Sequence, residues 1–160
     1  MENRKVAVIN QSNSRVGINV PELRFKRVWE KKNAKIMVDM DVLREIIYDN
    51  GVSYMFEQGM LFIDDMEAKI ELGLEPESAK TPVNIVRIDD AMLKRALGPM
   101  IVSDFRKFFE SLTEEQKHQV AEYAIANECT DFSKAEIIQS AIGINVISAI
   151  QLNRQDKDEK

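Results

Sequence analysis

The sequence predicts an α+β fold: a small β-rich N-terminal domain with short helices, followed by a helical C-terminal domain. Three observations lead there. Apolar residues alternate with period two near the N-terminus, apolar residues recur at helical spacing from Asp89 onward, and a polar stretch with two prolines separates these patterns. The expected boundaries are 1–74 for the β-rich module, 75–82 for a linker, 83–155 for the helical domain and 156–160 for a frayed polar tail.

Residues 5–10 (KVAVIN) read as a short strand that ends in the polar turn Gln11 to Ser14. Val16, Ile18 and Val20 alternate with Gly17 and Asn19, the pattern of a half-buried strand, and Pro21 stops it. Leu23, Phe25 and Val28 continue the apolar positions, a turn is expected over 31–35, and Ala34, Ile36 and Val38 suggest a third strand. Asp39 or Asp41 caps a helix with Val42, Leu43, Ile46 and Ile47 on one face, and Asn50-Gly51 reads as its stop. Val52, Met55 and Phe56 mark a helical turn closed by Gly59, residues 60–63 a brief strand, and Asp64-Asp65 the start of a helix running to Leu72 and Gly73.

Val83 to Ile88 suggest one more strand. Beyond it, Met92, Leu93 and Ala96 share one helical face, and Ile101, Phe105, Phe108 and Phe109 share another. Thr113-Glu114-Glu115-Gln116 and Ser133-Lys134-Ala135-Glu136 are capping-box patterns. Val120, Ala121, Ala124 and Ile125 face inward behind the first. Ile137, Ile138, Ala141 and Ile142 follow the second up to Gly143, and Val146, Ile147, Ala149, Ile150 and Leu152 form a last helix.

Composition narrows the function. Of 160 residues, 44% are hydrophobic and 31% charged, enough apolar content to bury a core. No apolar run is long enough to cross a membrane. The apolar stretch Val6 to Ile9 is too short for a secretory signal, so a cytoplasmic product is expected. One cysteine, Cys129, and one histidine, His118, exclude Cys- or His-rich zinc sites and any triad needing a second imidazole. The glycines stand alone and form no phosphate-binding loop. Asp64, Asp65 and Glu67 are explained by a helix N-terminus without a metal. His118 lies in a polar helical run, and Cys129 has acidic neighbours that disfavour a thiolate. No catalytic, metal-ligating or cofactor-binding residue is therefore proposed, no small-molecule ligand is indicated, and a non-enzyme is expected.

Charge gives the positive signal. Residues 1–36 hold nine Lys/Arg against three acids, a net of +6, so the remainder carries −11 of the total −5. The segment Arg24-Phe25-Lys26-Arg27-Val28-Trp29-Glu30-Lys31-Lys32 interleaves basic and aromatic residues and contains the only tryptophan. Arg24, Phe25, Lys26, Arg27, Trp29, Lys31 and Lys32 are the candidate interface, since Trp and Arg favour protein hot spots. Such interleaving also serves stacking on nucleic-acid bases, and a core tryptophan in a strand with a basic solvent face is the third reading. Ile142-Gly143-Ile144, followed by Ala149 and Leu152, resembles the turn of a helix-turn-helix, although Gln139 stands where a small residue is wanted and the second helix carries one basic residue, Arg154, before an Asp-rich tail.

Residues 5–63 resemble a class of small proteins encoded in bacteriophage structural gene clusters. The resemblance rests on Val8-Ile9-Asn10, the turn to Arg15, the Val-x-Ile-x-Val-Pro-x-Leu run from Val16 to Leu23, and Gly59-Met60-Leu61-Phe62-Ile63. It covers about a third of the chain and implies a small β-barrel module of the kind found on virion surfaces or at head–tail joints. The expected function is that of an assembly or accessory protein acting through protein–protein contacts, with itself or a partner, and not at a membrane. A nucleic-acid-binding regulator using the C-terminal helix pair is the alternative.

Overall fold

The computed structural model describes residues 4–158. It is α+β, with about 50% helix and 16% strand, the strands confined to the N-terminal half. The chain forms two compact units, Met1–Arg87 and Ile88–Lys160.

In the first unit β1 (Lys5–Asn10) is the centre of an antiparallel sheet, flanked by β4 (Lys35–Asp39) and β5 (Leu61–Ile63). A separate antiparallel ribbon joins β2 (Val16–Val20) to β3 (Phe25–Trp29). Pro21–Leu23 make a 3-10 turn between them, and Arg24 takes the left-handed conformation (φ 52°) that closes it. Helices α1 (Met40–Ile46), α2 (Asn50–Glu57) and α3 (Met66–Glu71) complete the unit. The period-two apolar positions Val16, Ile18 and Val20 are buried, and the register sets Val16 against Trp29 and Val20 against Phe25 on the same face. Val6, Val8, Val38, Leu43, Ile46 and Phe56 belong to the same core.

The polar turn after β1 is held by Asn10, which is fully buried. Its Nδ2 donates to the carbonyls of Ser14 (2.8 Å) and Lys31 (3.2 Å), and its Oδ1 accepts from Ser12 N–H (2.8 Å). One buried amide thus ties backbone groups of two loops together.

Several sequence expectations are corrected. Asn50-Gly51 does not end a helix. Asp49 accepts from Val52 N–H (3.1 Å) and caps α2, so both residues lie in its first turn. Residues 83–88 form no strand, because their amides have another partner: the buried Glu75 carboxylate accepts N–H bonds from Val83, Asn84 and Ile85 at 3.0–3.1 Å. The expected linker 75–82 therefore belongs to the first unit as a closed loop, Ile85 joins that unit's core, and the division falls after Arg87.

The second unit is helical: α4 (Asp90–Leu97), α5 (Val102–Glu110), α6 (Glu114–Ala126), α7 (Phe132–Ile142) and α8 (Val146–Asp158). Its interior is built from Leu93, Ala96, Phe105, Phe109, Val120, Ala124, Ile138, Val146 and Ile150, with the rings of Phe105 and Phe109 stacked at 5.7 Å. Thr113 and Gln116 form the expected capping box on α6. The second expected box is absent: Asp131, two residues earlier, caps α7, and Lys134 is buried instead of solvated. Ile101 and Leu152, expected on the inner faces, are exposed. Of the expected frayed tail, 156–158 continue α8, and 159–160 lie outside the described residues.

Candidate interaction surface

The sequence-predicted segment divides by burial, its two aromatic side chains interior and most of its basic ones at the surface. Trp29 is 1% exposed, and its Nε1 donates to the Val8 carbonyl at 3.0 Å. Phe25 is buried on the same face, at the end of the strand pair. Both are removed from the candidate interface, because a side chain committed to its own core offers no area to a partner. Phe25 and Trp29 are four residues apart and share the face that covers the sheet; Arg27, between them and opposite Ile18, starts on that same face and reaches the surface by turning its guanidinium out over the Phe25 ring.

Arg24, Lys26, Arg27 and Lys31 remain exposed, and Lys32 is half-buried. The Arg27 guanidinium lies over the Phe25 ring at 5.0 Å, and its Nη1 donates to the Lys26 carbonyl at 2.8 Å, which fixes its position on the ribbon. Arg15, opposite the end of β3, pairs with Glu30 at 3.3 Å. The result is a basic surface carried on a rigid two-stranded element and its flanking turns, with its aromatic rings turned inward.

Among the described residues no three His, Cys, Asp or Glu side chains converge as a metal site would require. Asp65 is an N-cap: it accepts from Ala68 N–H at 2.9 Å and pairs with Arg4. Burial pushes its carboxyl up, but those two donors outweigh it and hold the group below the ordinary carboxylate range. Glu67 and Asp64 are exposed on either side of it, and His118 is exposed on α6. Cys129 is half-buried, its Sγ 3.5 Å from the Leu97 carbonyl, beside an open cleft of about 570 Å3 lined by Leu97, Lys94, Tyr123, Asn127 and Asp131.

Two buried lysines escaped the sequence reading, which expects lysine at the surface. Lys134 is 1% exposed and donates to the carbonyls of Ala96 (2.8 Å) and Gly98 (3.0 Å), closing the C-terminus of α4. Lys69 is 2% exposed and has no hydrogen-bond partner for its Nζ, which sits 3.9 Å from the centre of the Phe62 ring. Burial lowers its pKa, against the opposing pull of Glu75, Asp64 and Asp65.

The α7–α8 pair meets the geometric side of the helix-turn-helix pattern. The helices cross at a bend of 106°, Gly143 is left-handed (φ 74°), and Asn145 caps α8 by accepting from Ser148 N–H at 3.0 Å. The charge on α8 runs the other way: Arg154 pairs with Glu128 at 3.1 Å, and Lys157 follows Asp156. Among the described residues no single helix is long and apolar enough to cross a membrane. Comparison with known protein families, curated proteins and solved structures finds no match.

Proposed function

We propose that this protein is a non-enzymatic assembly protein whose ribbon docks on an acidic protein surface. One observation carries the reading: apart from Glu30, which pairs with Arg15, the exposed side chains of the segment are cationic, and its aromatic side chains are interior. A surface of that kind attracts negative potential but lacks the stacking platform that single-stranded nucleic acid uses. The acidic remainder of the chain supplies one such partner in a second copy, giving head-to-tail contacts. The resemblance of residues 5–63 is our ground for taking the assembly to be a phage particle, at its head, head–tail joint or decorated surface, formed in the host cytoplasm.

A second reading, a regulator that binds duplex DNA through α7 and α8, is favoured by the 106° crossing and the Gly143 turn. The scarcity of free positive charge on α8 argues against it, since phosphate contacts supply most of the affinity for DNA. Light scattering over a salt series separates the readings. The first expects assemblies that weaken as salt rises and that Lys26→Glu with Arg27→Glu abolishes without lowering the melting temperature. A tight, salt-sensitive complex with a short DNA duplex, unaffected by that pair of changes, would overturn it in favour of the second.

A further inference from the structure

β4 is the outer strand of the three-stranded sheet, and among the described residues its far side meets no other strand. Backbone bonds at the two ends of the β1–β4 ladder set its phase. Asn10 N–H donates to the Ala34 carbonyl and Met40 N–H to the Arg4 carbonyl. Ile36 and Val38 therefore turn their amides toward β1, and Lys35, Met37 and Asp39 turn theirs outward. The side chains of these three also share one face of the sheet. Lys35 is exposed there, Met37 is 50% exposed, and the Asp39 carboxylate makes no capping bond to α1.

We propose that this edge pairs antiparallel with the same edge of a second copy, about a two-fold axis at Met37. In that register the two Met37 residues exchange N–H···O bonds, and each Asp39 N–H reaches the Lys35 carbonyl of the second copy. The Asp39 carbonyl stays with α1, as that of a helix N-cap does. The two-fold sets Met37 on Met37 and, on both sides of it, Lys35 opposite Asp39. Shifting the strands by two residues would break both charge pairs, so this register is selected by its own side chains. The exposed methionines give the seam an apolar centre. The pairing joins two three-stranded sheets into one and closes on itself, unlike a head-to-tail contact through the ribbon. It uses none of the ribbon's residues and goes beyond the docking role proposed above.

Sedimentation equilibrium of the full chain tests it with a charge swap. Lys35→Asp and Asp39→Lys, made singly, set like charges opposite one another at both ends of the seam and should each weaken the dimer about tenfold. The double variant Lys35→Asp/Asp39→Lys restores complementarity and should recover the dimer to within about threefold of the wild type. Met37→Lys, at an exposed position that leaves the core untouched, should abolish it; circular dichroism confirms that each variant is folded. A wild-type chain that is monomeric throughout, or a dimer indifferent to the single reversals and to Met37→Lys, overturns the proposal. The ribbon pair Lys26→Glu/Arg27→Glu tells the two surfaces apart. A dimer lost to the β4 changes but not to the ribbon pair supports edge pairing. A dimer lost to the ribbon pair alone overturns it and leaves the ribbon reading standing.

Discussion

Trp29→Ala decides whether the tryptophan belongs to the core or to a contact surface. The side chain is 1% exposed, and burying an indole removes about 200 Å2 from water. At about 25 cal/mol per Å2 that is about 5 kcal/mol, to which the Nε1–H bond to the Val8 carbonyl adds about 1 kcal/mol. Partial collapse of the cavity reduces the loss to the measured range for large-to-small aromatic changes, about 3–5 kcal/mol. Domain stabilities are themselves about 5–15 kcal/mol, so the first unit should lose a large part of its stability. For a unit of this size the melting temperature should fall by roughly 15–30 °C. Circular dichroism and calorimetry measure this in the variant, and wild-type fluorescence reports the first unit alone because Trp29 is the only tryptophan. Trp29→Phe keeps most of the buried area and should lose about 1–2 kcal/mol. The core assignment is refuted if Trp29→Ala melts within about 1 kcal/mol of the wild type while assembly disappears.

The two buried lysines should respond to the same substitution with opposite signs. Lys134→Met strands the Ala96 and Gly98 carbonyls and should cost about 2–4 kcal/mol, whereas Lys69→Met removes an ammonium with no hydrogen bond and should be neutral or stabilise by up to about 2 kcal/mol. Urea midpoints of the two variants check this, and a destabilised Lys69→Met would refute the argument. Glu75→Gln places an amide N–H against backbone donors, so exchange at Val83, Asn84 and Ile85 should quicken at least about tenfold and trypsin should cut at Lys80 sooner. Unchanged protection there would show that the carboxylate does not hold the loop. Asp65 is held below its ordinary pKa, so its contribution to stability is complete above the unfolded carboxyl value of about 3.9 and is lost as pH falls through the folded value. Asp65→Asn keeps a good cap and should flatten the acid limb of a stability–pH curve, and identical acid limbs would count against the assignment.

What the sequence determined by itself is what chain neighbours decide. A short apolar run ended by a polar turn placed β1, period-two alternation placed β2, and 3.6-residue spacing placed the helices of the second half. The Thr113–Gln116 box and the left-handed glycines at 59, 73 and 143 ended or began elements where expected, since each acts within about one turn of chain. Competing local signals were already harder to rank. Asn50-Gly51 looks like a stop, yet Asp49 beside it makes the better cap, and Asp131 displaces Ser133 in the same way. The tertiary structure alone decided the rest, because the deciding partners are far apart in sequence. The pairing of β2 with β3 over the sheet turned Phe25 and Trp29 inward and left only charge on the candidate surface. Glu75 took the amides of 83–85 away from any strand, and the carbonyls at the end of α4 drew Lys134, more than thirty residues distant, into the interior. The open side of β4 is of the same kind. Its residues read as an ordinary strand, and only the sheet order shows that one edge has no neighbour among the described residues.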